Sequence, residues 1–261
     1  MRNERIDCRI GKRMFSVESD AEYAKHIGSF FEPHTVAIID ALKNGNVAID
    51  IGANIGMTSL AMSQIYDKVI AFEPAASTFS LLEKNLSSNY IDNVQAFNAG
   101  IGERDTSSQV TFSLGNSSGA YISDITEASE GHVTESVRLL KGDDLGLEPG
   151  FIKIDVEGYE LAVLNGLSNT LNKWKPCVLF EMNHWCLNVF RRISLPEFIE
   201  RSADIFDFLY AVDDEQFLDC KNSSQRYTVM YEHVHYGRYM NLVGAYESND
   251  LRRFHKKFGL T

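Results

Sequence analysis

From Val47 onward the chain repeats one pattern: a short apolar run, then a longer stretch with apolar residues at helical spacing. VAIDIG precedes GMTSLAMSQIY, KVIAFEP precedes ASTFSLLEKNL, and FIKIDVEG precedes YELAVLNGL; NVQAFNAGIG and PCVLFEMN are two further strand-like runs. A strand that is apolar throughout is buried on both faces. Such strands alternating with helices make a parallel sheet covered by helices on each side. The pattern therefore predicts an α/β fold, with polar residues gathered at the carboxyl edge of the sheet.

The flanks differ. Residues 1–46 read as a small cap: a hairpin around Gly11-Lys12, a helix starting at Asp20, and a second helix with Pro33 in its first turn, closed by Asn44-Gly45. The rest, 47–261, forms the main domain. Within it, the alternating segments QVTFSL and VTESVRLL predict antiparallel strands or an acceptor-facing lid at 107–140. A C-terminal elaboration at 184–261 is expected to hold a helix beginning near Leu195-Pro196, strands around 206–211 and 227–231, and a surface helix in NDLRRFHKKFGL.

Charge and cysteines bound the function classes. Lys and Arg number 25 against 36 Asp and Glu, a net charge of −11. With no compensating basic run, this argues against nucleic acid as a partner. Cys8, Cys177, Cys186 and Cys220 form no CxxC pair, so neither a zinc site nor a redox dithiol is expected, and reduced thiols are. The polar start MRNERIDCRIGKRMF lacks a signal-peptide core, and no apolar run reaches the length of a membrane span. A cytoplasmic protein is the expectation.

Four constellations fall at strand ends. In DIGANIG, Asp50, Gly52, Ala53, Asn54 and Gly56 join a strand to a helix. Two glycines there permit a tight turn and close approach to a ligand, although a plain strand–helix turn needs them too. Glu73, 17 residues after Gly56, can accept hydrogen bonds from both hydroxyls of a ribose, or favour the following helix N-terminus electrostatically. Together they point to a nucleoside. The missing third glycine disfavours a pyrophosphate, and acidic Asp50 suits a cation without phosphates, a description that S-adenosylmethionine meets. Asn98, at the end of the third run, completes the expected cofactor set.

KIDVEGYE places Asp155 and Glu157 at the fourth strand end, where two carboxylates next to Lys153 can bind a cation, orient a hydroxyl or shift one another's pKa; Glu160 reads as solvated, and in the alternative Lys153 is solvated too and one carboxylate caps the following helix. Asp155 counts among both the cofactor contacts and the catalytic candidates. Glu181 and His184 follow the fifth strand and face the same crevice. His233 and His235, two apart, would share one face of a strand, but no further ligand supports a metal there.

Taken together, AIDIGANIGMTSL (48–60), AFEP with LLEKN (71–85), FIKIDVEGYELAVLNG (151–166) and VLFEMN (178–183) resemble the FkbM family of S-adenosylmethionine-dependent methyltransferases, with the chain departing at Ala75-Ala76 where members often carry a second proline. The resemblance covers roughly residues 46 to 183. It implies the class I methyltransferase (Rossmann-like) fold, a seven-stranded mostly parallel sheet with helices on both faces, and O-methylation of a sugar, glycan or secondary-metabolite hydroxyl. The parts outside the resemblance, cap included, would read the acceptor. A general base is expected among Asp155, Glu157, Glu181 and His184, with His184 or Glu181 preferred. A divalent ion held by Asp155, Glu157 and Glu181 is the alternative way to activate the oxygen. Two other functions stay open: a nicotinamide-dependent oxidoreductase and a catalytically inactive adenosyl-binding scaffold.

Overall fold

A computed structural model describes residues 3–113, 116–122 and 131–259. The chain opens with the antiparallel hairpin β1 (Asn3–Ile10) and β2 (Arg13–Asp20). Asp20 caps the short α1 (Ala21–Ala24) by accepting from the Tyr23 amide, and α2 (Pro33–Ala41) has Pro33 in its first turn, where a missing N–H costs nothing. The repeating region then forms β3 (Val47–Ile51), α3 (Met57–Met62), β4 (Lys68–Phe72), α4 (Ala76–Ser88) and β5 (Val94–Phe97).

Next come β6 (Gly100–Gly102), β7 (Thr106–Ser113), β8 (Asn116–Ile122) and β9 (His132–Lys141), which leave the main sheet and make their own, in the order β6-β9-β7-β8. The antiparallel strands expected at 107–140 are therefore present as far as that stretch is described; residues 114–115 and 123–130 lie outside the described residues. The chain returns with β10 (Phe151–Ile154), α5 (Glu160–Gly166), α6 (Ser168–Trp174), β11 (Cys177–Glu181), α7 (His184–Arg191) and α8 (Leu195–Ile205). It ends with β12 (Phe208–Val212), β13 (Phe217–Asp219), α9 (Ser223–Tyr236), β14 (Asn241–Ala245) and α10 (Arg252–Lys257).

The main sheet runs β13-β12-β14-β11-β10-β3-β4-β5, with β5 to β11 parallel and β14 antiparallel between β11 and β12. It is a Rossmann-like, class I arrangement with eight strands instead of the expected seven, because Phe217–Asp219 adds an antiparallel edge to β12. Ile49, Ile51, Ile152 and Ile154 pack on one face beneath Leu161, Leu164, Phe198 and Val229; Ala48, Phe151, Leu179 and Val243 face Ile39, Met62 and Phe254 on the other. Each strand contributes to both faces, which is why the runs read as continuously apolar.

Two expectations fail in the C-terminal part. Residues 227–231 are helical, within α9, and so is the HVH segment. Helical spacing parts the two histidines: His233 is buried and His235 is exposed. The helix wins because Asn222 caps it, accepting from the amides of Ser224 and Gln225, and because Val229 and His233, four apart, are both buried. The cap is fastened to the main domain. Asn85 on α4 accepts from the Glu18 amide at 2.7 Å and donates to the Glu18 carbonyl at 3.0 Å, and Asn89 makes the same pair of bonds with Ser16.

The chain leaves β3 toward β4 and β5, then returns at β10 and proceeds the other way to β11. Open α/β sheets bind ligands in the crevice outside the strand ends at such a switch point.

Candidate active site

A cavity of about 260 Å³ lies at that crevice. Its first half is built by the β3–α3 turn and the end of β4. The amides of Gly52 and Ala53 both donate to the Phe72 carbonyl at 3.0 Å, folding the turn onto β4. Gly52 has φ +78°, and a Cβ there would lie 1.9 Å from the carbonyl oxygen of Asp155. The glycine is required by the crossing of two backbone segments, before any ligand is considered. Gly56, φ +96°, starts α3, and a Cβ there would meet Leu82 of α4 at 2.6 Å, so its role is packing and it is not on the cavity wall.

Asp50 is fully buried. Thr58 Oγ1 and Ser59 Oγ donate to its Oδ2 at 2.8 and 2.6 Å, and Lys153 Nζ stands 3.6 Å from Oδ1. It is not on the wall itself and reaches the cavity through Thr58 and Lys153, which are. Glu73 is on the wall and 5% exposed; its Oε2 accepts from the Asn54 amide and its Oε1 from the Ala75 amide, each at 2.9 Å. Burial pushes its carboxyl up to about 7 against the pull of those two amides. Each oxygen keeps a lone pair for a further donor. Ala53 and Asn54 share the wall. Asn98 does not: its side chain donates to the carbonyls of Glu73 and Pro74, at 3.0 and 2.9 Å, and so fixes the strand end that presents Glu73.

The second half is carried by β10 and β11, which are neighbours. One ligand-capable oxygen each from Asp155, Glu157 and Glu181 lies within 4.8 Å of the others. Glu157 adopts φ 51°, and Cys186 Sγ (3.0 Å) and Asn183 Nδ2 (3.4 Å) both donate to its Oε2. Burial first, and then Asp155, raises its pKa to about 7. Glu181 Oε2 is closed off from solvent and has no hydrogen-bond partner. Burial and the neighbouring carboxylates Asp155, Glu157 and Glu160 push Glu181 well above the ordinary carboxylate range.

His184 does not join this group on the wall. Its ring packs edge-to-face on His233 at 5.0 Å, and its amide donates to His233 Nε2 at 3.4 Å. Because His233 Nδ1 lies 2.9 Å from the Arg238 carbonyl, which can only accept, Nδ1 carries the proton and the ring is neutral. His233 thus helps close the start of α7.

Sequence reasoning missed several residues. Lys153, placed by the sequence beside the two carboxylates but given no role of its own, is 6% exposed: Nζ lies 3.2 Å from Asp155 Oδ2 and donates to the Gly52 carbonyl at 3.3 Å. Burial opposes its charge, but Asp155 and Asp50 outweigh that and hold it above the usual lysine value. Glu160, read as solvated, is fully buried; its Oε1 accepts from the amides of Val156 and Gly158, and burial raises it to about 8. The apolar lining from the small sheet (Val110, Ile122, Leu139) and the cap residues Tyr23, Glu32 and Thr35 had no motif to mark them.

The methyltransferase FkbM domain family matches residues 50–214. A protein of Beauveria bassiana described as methyltransferase 1 is 33% identical over 144 residues, covering 46% of this chain and 58% of that one. The hexuronic acid methyltransferase AglP of Haloferax volcanii is 31% identical over 139 residues, covering 51% and 55%. The chain thus spans little more than half the length of these two relatives. Among solved structures, a methyltransferase FkbM from Methylobacillus flagellatus aligns with TM-score 0.45 at 18% identity, over 63% of this chain and 39% of that one. The chain belongs to the methyltransferase FkbM domain family.

Proposed function

We propose that this protein transfers a methyl group from S-adenosylmethionine to a hydroxyl of a sugar or glycan, or of a related small molecule. The observation that carries the donor assignment is Glu73: a buried carboxylate at the end of β4, fixed by two backbone amides and open to the cavity. A ribose diol fits its remaining lone pairs. The residues also suit a cation, since the wall bears Glu32, Glu73, Asp155, Glu157 and Glu181 against Lys153. A sugar acceptor is supported by the family and by the Haloferax relative, a hexuronic acid methyltransferase.

The bound donor supplies an electrophilic methyl on a sulfonium. The protein then has to align an acceptor oxygen with it, exclude water and take one proton. Alignment falls to the rigid strand ends of β3 and β10, locked together by Gly52 and Lys153. Proton transfer falls to Glu181: it is on the wall, and its raised pKa lets a carboxylate act as a base near neutral pH. A divalent ion held by Asp155, Glu157 and Glu181 is a second reading, favoured by their mutual approach within 4.8 Å.

Labelled methyl transfer from S-adenosylmethionine to a pool of glycans and metabolites tests the proposal. Transfer that survives EDTA removes the divalent ion. Donor binding without transfer to any acceptor would favour an inactive scaffold, and tight NAD(H) binding an oxidoreductase.

A further inference from the structure

Glu32 joins the cap to α2 and is the most strained residue of the cavity wall. Its φ of 28° and ψ of 65° are left-handed, and Pro33 follows directly. A residue before proline is driven toward extended backbone, so this conformation is costly and persists only where the surroundings enforce it. Helix capping does not explain it, for the side chain makes no capping bond to α2. Among the described residues its carboxylate has no hydrogen bond and no close ion pair; it acts on Lys153 and Tyr23 only through its field. The carboxylate is thus held on the cavity wall by a costly backbone, without a protein partner.

Its place along the crevice indicates what it serves. Glu73 ends β4, and Lys153 and Asp155 end β10, with β3 between them. That is two strand spacings, about 10 Å, room for a ribose together with its extended aminocarboxypropyl chain. Lys153 is already committed to Asp50, Asp155 and the Gly52 carbonyl. Glu32 is the uncommitted acid beside it.

Resting on the donor assignment above, we propose that Glu32 holds the α-ammonium of the donor's methionine tail. The N-terminal cap then completes the donor site and does not serve the acceptor alone.

Calorimetry separates this from the parent assignment with two ligands. S-adenosylhomocysteine carries the tail; 5′-methylthioadenosine has the same nucleoside without it. Glu32→Gln should bind S-adenosylhomocysteine at least tenfold more weakly and methylthioadenosine as the parent does. Glu32→Gly, which relieves the backbone, should melt no lower than the parent and show the same selective loss. Unchanged affinity for S-adenosylhomocysteine in either variant would overturn the proposal. Equal loss for both ligands would also overturn it, assigning Glu32 to the nucleoside or to loop order. A parent protein that binds neither ligand would instead refute the donor assignment and this inference with it.

Discussion

The two halves of the crevice differ in how closely their carboxylates crowd. On the β3–β4 side, Asp50 has two hydroxyl donors and a lysine, and Glu73 has two backbone amides. On the β10–β11 side, Asp155, Glu157 and Glu181 crowd together, and Glu181 keeps an oxygen with no partner. A buried acid with fixed donors is a rigid binding element. Crowded acids exchange a proton or attract a cation, because like charges at that distance cannot all stay ionised at neutral pH. The contrast divides holding from chemistry.

The largest expected effect strikes the frame shared by both halves. Gly52→Val places a branched side chain where the Asp155 carbonyl already lies, at a left-handed φ. We expect a loss of stability beyond about 4 kcal/mol, the range of exceptional substitutions, with donor binding lost as well. A variant that melts like the parent would show that the crossing of β3 and β10 is not rigid.

On the binding side, Glu73→Gln keeps shape and removes charge. Charge-assisted hydrogen bonds contribute about 1.5–3 kcal/mol, so donor affinity should fall at least tenfold while the melting temperature holds. Calorimetry with S-adenosylhomocysteine reads this directly, and parent-like affinity would place the ribose elsewhere. The same ligand should bind the parent more weakly as pH drops below about 7, where Glu73 takes up a proton, and Glu73→Gln should lose that slope.

The smallest effect concerns Glu160, behind the acidic half. Its folded-state pKa, about 8, lies above the ordinary carboxylate value, so the folded state binds the proton more tightly. Stability from this group is present below the unfolded pKa and is lost as pH rises through about 8. Glu160→Gln keeps the acceptor for Val156 and Gly158 and removes the charge, so it should flatten the decline in melting temperature from pH 5 to 8. An unchanged slope would mean that Glu160 titrates normally.

What could be read from the sequence follows the same division. The turn at Gly52 to Asn54 and the acid at Glu73 are local in the chain, and short apolar runs locate strand ends, so these wall residues were legible; that Asp50, Gly56 and Asn98 lie behind the wall was not, because it depends on Lys153, Leu82 and the Glu73–Pro74 carbonyls. The cluster of Asp155, Glu157 and Glu181 was legible only on the condition that β10 and β11 are adjacent. The solvated reading of Glu160 fails, and the burial of Lys153 is not visible in the sequence, because burial of a charge depends on tertiary neighbours, here the Val156–Gly158 turn and Asp50. The α9 segment misled because its aromatic and β-branched residues favour strands locally, while the Asn222 cap and buried Val229 and His233 decided for a helix. Tyr23 and Glu32 reach the cavity from a cap that no motif connects to it.

Glu181→Gln tests the division between holding and chemistry most directly. The variant should fold, bind S-adenosylhomocysteine with the parent's affinity, and lose most labelled methyl transfer; His184→Ala, whose ring packs on His233 off the cavity wall, should keep it. Full transfer by Glu181→Gln, or loss of donor binding along with transfer, would contradict the account.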